Sequence, residues 1–208
     1  MKSKVIIKVC GVRDSQNISA LAKLGIDWMG MIFWPGSKRH VSTPPDNLPQ
    51  GLKKVGVFVD ASLEDIRQHV EEYQLDIIQL HGHETPEFLK VLKPLTLMKA
   101  FNIASADDLK QTEAYDGIAD FFLFDTKGKV VGGNGEKFDW TVLSSYHGST
   151  PFLLSGGIGP EDANSIKSFH HPKCIGIDLN SRFETAPGLK DINKLATFIK
   201  QLSYVQQD

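Results

Sequence analysis

The sequence predicts an α/β protein built as a single (β/α)8 TIM barrel, with its active site at the C-terminal ends of the strands. Three observations predict it. Eight short apolar runs alternate with helical patterns, and their starts recur at roughly 20–30 residues, the length of a βα unit. Polar residues end several of those runs, and glycine-rich turns follow the last ones. At 208 residues the chain stands at the small end of the barrel's size range and reads as one domain, 1–208.

The strand candidates are short and rich in β-branched or aromatic residues: 5–10, 27–33, 54–59, 76–81, 96–101, 120–125, 151–155 and 174–179. Helix patterns lie between them. In 15–24, Ile18, Leu21 and Leu24 recur at helical intervals, and Gly25 is a stop. Ser62 caps 63–73, and Thr85-Pro86 opens the helix to Leu92, since proline suits a first helical position. Further helices are expected over 105–114, 138–146, 160–169 and 189–205. The second unit departs from the pattern, because Pro44, Pro45 and Pro49 leave 35–52 as a loop. A doubly wound open sheet is the structural rival. Against it, the first strand-to-helix turn, Cys10-Gly11-Val12-Arg13-Asp14, lacks a glycine-rich dinucleotide fingerprint.

Composition narrows the function. Apolar residues make up 41% and charged residues 23%, as in an ordinary globular protein. The net charge of −2 gives no basic footprint for nucleic acid. No run approaches membrane-spanning length, and the opening Met-Lys-Ser-Lys leads directly into the first strand, so a cytoplasmic location is expected. Two cysteines, Cys10 and Cys174, make no disulfide framework and no zinc spacing. His81 and His83 share a strand-face spacing but lack a third ligand, so no metal is expected.

In a parallel barrel all strand ends converge on one mouth. The polar residues there are Cys10, His81, Asp125, Ser155 and Asp178, with Arg39 in the proline-rich loop. Alternation along the strands brings Lys8, Gln79 and Lys99 inward below it. Aspartate is depleted in strands, so Asp125 and Asp178 at the ends of apolar runs are read as functional rather than packing residues. Gly132-Gly133-Asn134-Gly135 and Ser155-Gly156-Gly157-Ile158-Gly159 precede helices, and Asn180-Ser181 follows the last strand. Such turns let backbone N–H groups close on phosphate, and barrels often bind phosphate after strands seven and eight. Cys174 reads as packing, and Lys190-Asp191, near a helix start, as a surface feature.

These residues match a family. Lys8-Val9-Cys10-Gly11 resembles the opening motif of phosphoribosylanthranilate isomerase, a tryptophan-pathway enzyme. Phe33-Trp34-Pro35-Gly36-Ser37-Lys38-Arg39 resembles its loop after strand two. Gln79-Leu80-His81-Gly82 and Leu123-Phe124-Asp125-Thr126 resemble its fourth and sixth strand ends. Gly133-Asn134-Gly135-Glu136 through Trp140 and Leu154-Ser155-Gly156-Gly157-Ile158 resemble its phosphate loops. Gly176-Ile177-Asp178-Leu179-Asn180-Ser181, continuing through Glu184 to Asp191, completes the set. One departure is Arg182, where many members have glycine.

The resemblance implies an Amadori rearrangement of a phosphoribosyl aryl amine, with no redox change and hence no cofactor. It implies Cys10 as general base and Asp125 as general acid. Arg39, His81 and Asp178 would bind substrate, and Gly133, Gly135, Gly156, Gly157, Asn180 and Ser181 its phosphate. The partner is then a small phosphoribosyl substrate, not nucleic acid or membrane, and the chain a monomer or homodimer. A thiol ordinarily titrates near about 8.5 and an aspartate near about 3.9, so the mouth must push the two in opposite directions. Lys8, one pleat below Cys10, is the expected support for a thiolate. Burial beside Phe121 and Leu123 would raise Asp125. Two other functions stay open: a histidine-pathway sugar isomerase, which would call for aspartates where Cys10 and Phe101 stand, and a non-enzymatic binding barrel, which would not keep the acid–base pair.

Overall fold

The computed structural model describes residues 5–46, 48–126 and 139–203. Eight parallel strands close into a barrel in sequence order. They are β1 (Ile6–Cys10), β2 (Trp28–Ile32), β3 (Lys53–Phe58), β4 (Ile77–Leu80), β5 (Leu97–Ile103), β6 (Phe121–Thr126), β7 (Phe152–Leu154) and β8 (Cys174–Leu179). The β1–β8 seam closes it, with Lys8 opposite Asp178. On the other side of β1, Cys10 stands opposite Gly30.

Strand alternation divides the apolar residues into two layers. Trp28, Val55, Ile77, Met98, Ala100, Leu123 and Leu153 fill the barrel's interior. Their neighbours along the strands, such as Val9, Met29, Leu97 and Phe122, face the outer shell. That shell contains α1 (Ser15–Ala22), α2 (Leu63–Tyr73), α3 (Pro86–Leu92), α4 (Ala163–Ser168) and α5 (Ile192–Ser203). Side-chain caps start the first three helices. Asp14 accepts from the Asn17 N–H, Ser62 from that of Asp65, and Thr85 from that of Phe88.

The helical layer is less regular than its sequence pattern. Ala106–Tyr115 and Trp140–Ser145 wind as 3-10 turns rather than α-helices, and α4 is preceded by a 3-10 turn, Pro160–Asp162. The expected helix 189–205 begins three residues late, because Leu189–Lys190 forms a strand, β10, antiparallel to β9 (Glu184–Ala186). The cause lies in α1. Asn17 Nδ2 donates to the Lys190 carbonyl, and its Oδ1 accepts from the Lys190 N–H, so this backbone is held extended. The described part of 35–52 is a loop, tied to β2 by a bridge between Ile32 and His40. Among the described residues no helix is long and apolar enough to cross a membrane.

Candidate active site

The C-terminal strand ends open on a cleft. It gathers Cys10, Arg39, His81, Asp125 and Asp178, and also Gly156, Gly157, Asn180 and Ser181. Of the residues expected at the site, Gly133 and Gly135 lie outside the described ones.

Cys10 ends β1 with its side chain inward and buried. Gly30 opposite makes room for it, since a Cβ there would lie 2.7 Å from Sγ. One pleat below, Lys8 is fully buried and donates from Nζ to Asp178 Oδ1 at 2.8 Å. Asp178 Oδ2 accepts from Ser155 Oγ at 3.3 Å. Burial pushes the Cys10 thiol up; Lys8 and Lys190 pull it down, and Asp178 works against them. The net direction is upward, so Lys8 supports the thiolate without overcoming burial. Lys8 itself is raised: burial opposes its charge, but the attraction of Asp178 and Cys10 prevails.

Asp125 lies on β6, which is separated from β1 by β7 and β8. Burial, joined by the nearby Asp178 charge, raises its carboxyl to about 6 against the Thr126 N–H and Lys8. His81 Nε2 faces Asp125 Oδ2 at 3.6 Å. Burial lowers His81 to about 4, helped by the charges of Lys99 and Lys8, so the ring is neutral at pH 7. Gln79 Nε2 donates to His81 Nδ1 at 3.2 Å, which leaves the ring proton on Nε2. Four buried polar side-chain atoms have no hydrogen-bond partner among the described residues, and three of them, Gln79 Oε1, His81 Nε2 and Thr126 Oγ1, belong to side chains that line this cleft; the fourth is Trp140 Nε1. Buried polar groups are rarely left so, and orphans grouped at one mouth point to a ligand.

Arg39 reaches the cleft from the proline-rich loop, but one edge of its fork is occupied. Its Nε donates to Glu184 Oε1 at 2.9 Å and its Nη2 to Glu184 Oε2 at 2.7 Å. A carboxylate ligand would therefore meet the remaining N–H groups of the guanidinium. Lys190 was expected at the surface and is instead 2% exposed. Its Nζ donates to Glu184 Oε1 at 2.7 Å and to Asn180 Oδ1 at 2.8 Å. Burial lowers Lys190 against the pull of Glu184. Burial alone would raise Glu184, but Arg39 and Lys190 together hold it low. Sequence reasoning missed both roles; the signal available was two charged residues beside the last strand's loop.

Lys99 corrects a second expectation. Its neighbours Met98 and Ala100 point into the barrel, so Lys99 faces outward. There it donates to Gly82 O at 2.7 Å and to the buried Glu84 Oε2 at 2.9 Å. His83 also leaves the site, exposed against Asp60. Cys174 lies at the opposite strand end, packed against the outer core as expected.

After β7 the backbone turns through Gly156 and Gly157, with φ of +86° and +65°. A Cβ on Gly156 would collide with Thr126, so the loop closes only with glycine there. Asn180 and Ser181 follow β8 on the same wall.

Fold and cleft together define a (β/α)8 barrel whose mouth pairs a thiol with a protonatable carboxyl. The family model of N-(5'-phosphoribosyl)anthranilate (PRA) isomerase matches residues 7–201, and the chain belongs to that family. The N-(5'-phosphoribosyl)anthranilate isomerase of Parabacteroides distasonis is 50% identical over 206 residues, covering 95% of this chain and 93% of its own. The crystal structure of the Thermus thermophilus phosphoribosylanthranilate isomerase superposes with a TM-score of 0.86 at 26% identity, covering 97% of this chain and all of that one. Another phosphoribosylanthranilate isomerase was solved with reduced 1-(o-carboxyphenylamino)-1-deoxyribulose 5-phosphate. It has a TM-score of 0.83 at 28% identity over 97% of this chain and 100% of that one.

Proposed function

We propose that this chain converts N-(5'-phosphoribosyl)anthranilate to 1-(o-carboxyphenylamino)-1-deoxyribulose 5-phosphate, with Cys10 as general base and Asp125 as general acid. The observation that carries the assignment of roles is the carboxyl of Asp125, raised to about 6 in the same cleft as the Cys10 thiol. The acid must carry a proton in part of the population near neutrality, and burial among barrel residues raises that share.

Asp125 protonates the furanose ring oxygen, the ring opens to an iminium, and Cys10 removes the C2 proton. The resulting enolamine relaxes to the ketone. No electrons leave or enter the substrate. The neutral His81, its Nε2 proton turned to Asp125, accompanies the acid through its change of charge. Asp178 holds Lys8 beneath the thiol and lies against the substrate. Arg39 receives the aryl carboxylate, and Gly156, Gly157, Asn180 and Ser181 receive the phosphate. Gly133 and Gly135, which the family resemblance assigns to the same phosphate, lie outside the described residues. The acting unit is one catalytic domain, and a base that must remain a free thiol suits the reducing cytoplasm.

Loss of anthranilate-type fluorescence on incubation with the substrate tests the reading. Wild type should turn the substrate over, and Cys10→Ala and Asp125→Asn should each lose at least about a hundredfold in kcat, the usual worth of a positioned acid or base. An active Cys10→Ala would remove Cys10 from its role.

A further inference from the structure

Among the described residues, two buried ion-pair clusters stand at the mouth and another, Lys99 with Glu84, on the barrel's outer side, and they differ in net charge. Lys8 with Asp178 is neutral, and so is Lys99 with Glu84. The third joins Arg39, Glu184 and Lys190, two cations around one carboxylate, and carries one excess positive charge. Its Lys190 side chain is fully buried and Glu184 is only 5% exposed. Arg39 and Glu184 alone would form a bidentate, overall neutral pair. An incoming carboxylate would then meet the Glu184 oxygens as well as the guanidinium, and repulsion would cancel much of the attraction. Lys190 reverses that balance, and Asn180 and the Asn17 clamp on its backbone hold it in place.

We propose that Lys190 is a specificity-determining residue for the aryl carboxylate of the substrate, supplying the positive charge that Glu184 withdraws from Arg39. It acts through the triad rather than by touching the reacting atoms. Glu184 then has two tasks, orienting the guanidinium through Nε and Nη2 and holding the cluster to a single excess charge. A second negative group on the aryl ring would find no further excess charge within this triad.

This deepens the proposed activity and rests on it, since it presumes that an aryl carboxylate enters beside Arg39. The test uses binding, so proton transfer at Cys10 plays no part. Calorimetry would give Kd for reduced 1-(o-carboxyphenylamino)-1-deoxyribulose 5-phosphate and for its phenylamino counterpart lacking the carboxylate. The ratio of the two is the carboxylate preference. In Lys190→Met the preference should fall on the order of tenfold, the size of one charge–charge contact in a partly desolvated site. The Kd of the counterpart should change less than that of the carboxylate ligand, since any loss passed through Asn180 falls on both ligands and only the carboxylate meets the triad. Glu184→Gln, which raises the excess charge, should not lower the preference. The double variant Lys190→Met/Glu184→Gln leaves Arg39 as the only charge of the triad and should restore it.

A merely structural Lys190 predicts otherwise: both ligands weaken together, and the double variant is worse than either single one. That pattern, or an unchanged preference in Lys190→Met, would overturn the proposal. Should Lys190→Met not fold, Lys190→Gln reads the same ratio. Wild type that binds neither ligand would instead defeat the proposed activity itself, so the two failures are distinguishable.

Discussion

Lys8 Nζ and Asp178 Oδ1 meet at 2.8 Å across the seam that closes the barrel, directly beneath Cys10. The lysine that could stabilise a thiolate is thus already shared with a carboxylate. Asp178 acts on the thiol twice, by its own charge and by engaging Lys8.

Asp178→Asn should therefore shift the Cys10 thiol titration to lower pH, and Lys8→Met should shift it higher. The pH dependence of alkylation by iodoacetamide reads this directly. Cys174, pushed up to about 11 by burial, contributes little below that pH. A Lys8→Met profile that does not move upward would show that Lys8 does not act on the thiol.

The pH–rate profile should be bell-shaped. Under the proposed roles, activity follows the microstate with Cys10 ionised and Asp125 protonated. With the thiol raised and Asp125 at about 6, that microstate is a small, constant fraction across neutral pH. The acid limb of kcat/KM should lie near pH 6 and the alkaline limb above the ordinary thiol range. An acid limb near pH 4 would mean that burial does not hold the Asp125 proton.

Asp125 should cost stability at neutral pH. Its folded-state pKa is above its unfolded one, so the native state binds this proton more tightly. The contribution is fully present below about pH 4 and is lost as pH rises through about 6, in total roughly 3 kcal/mol. Asp125→Asn should accordingly gain on wild type by about 1–2 kcal/mol between pH 5 and pH 7.5. Denaturant melts at the two pH values measure it. A gap that narrows as pH rises contradicts the assignment.

Lys99→Met should destabilise the fold by about 3–5 kcal/mol, because it strands the buried Glu84 carboxylate. Glu84 also accepts the Asp60 and Gly82 N–H groups, and these do not replace the lost cation. Urea unfolding decides the matter; a change below about 1 kcal/mol would place the pair with weak surface bridges.

Much of the barrel was legible along the chain. Each strand lies within a residue or two of its apolar run, because a β-branched run bounded by turn residues reports its own conformation. Cys10 and Asp125 could be placed at the mouth for the same reason: a parallel barrel brings every strand end to one face. The helical layer was less legible. Ala106–Tyr115 and Trp140–Ser145 carry helical spacing yet wind as 3-10 turns, since packing against the barrel overrides propensity in short segments.

The local pattern of residues was thus sufficient for the fold and the family motifs, and it placed Cys10 and Asp125 at the mouth. It could not show who pairs with whom. Arg39 meets Glu184 across 145 positions, and Asn17 grips Lys190 across 173, contacts that exist only once the barrel closes. Closure turned Lys190 from an apparent surface residue into a buried charge, and sent Lys99 outward to Glu84. The protonation of the mouth also had to await the fold. Burial, Lys8, Lys190 and Asp178 oppose one another at Cys10, and their balance depends on distances that no periodicity encodes.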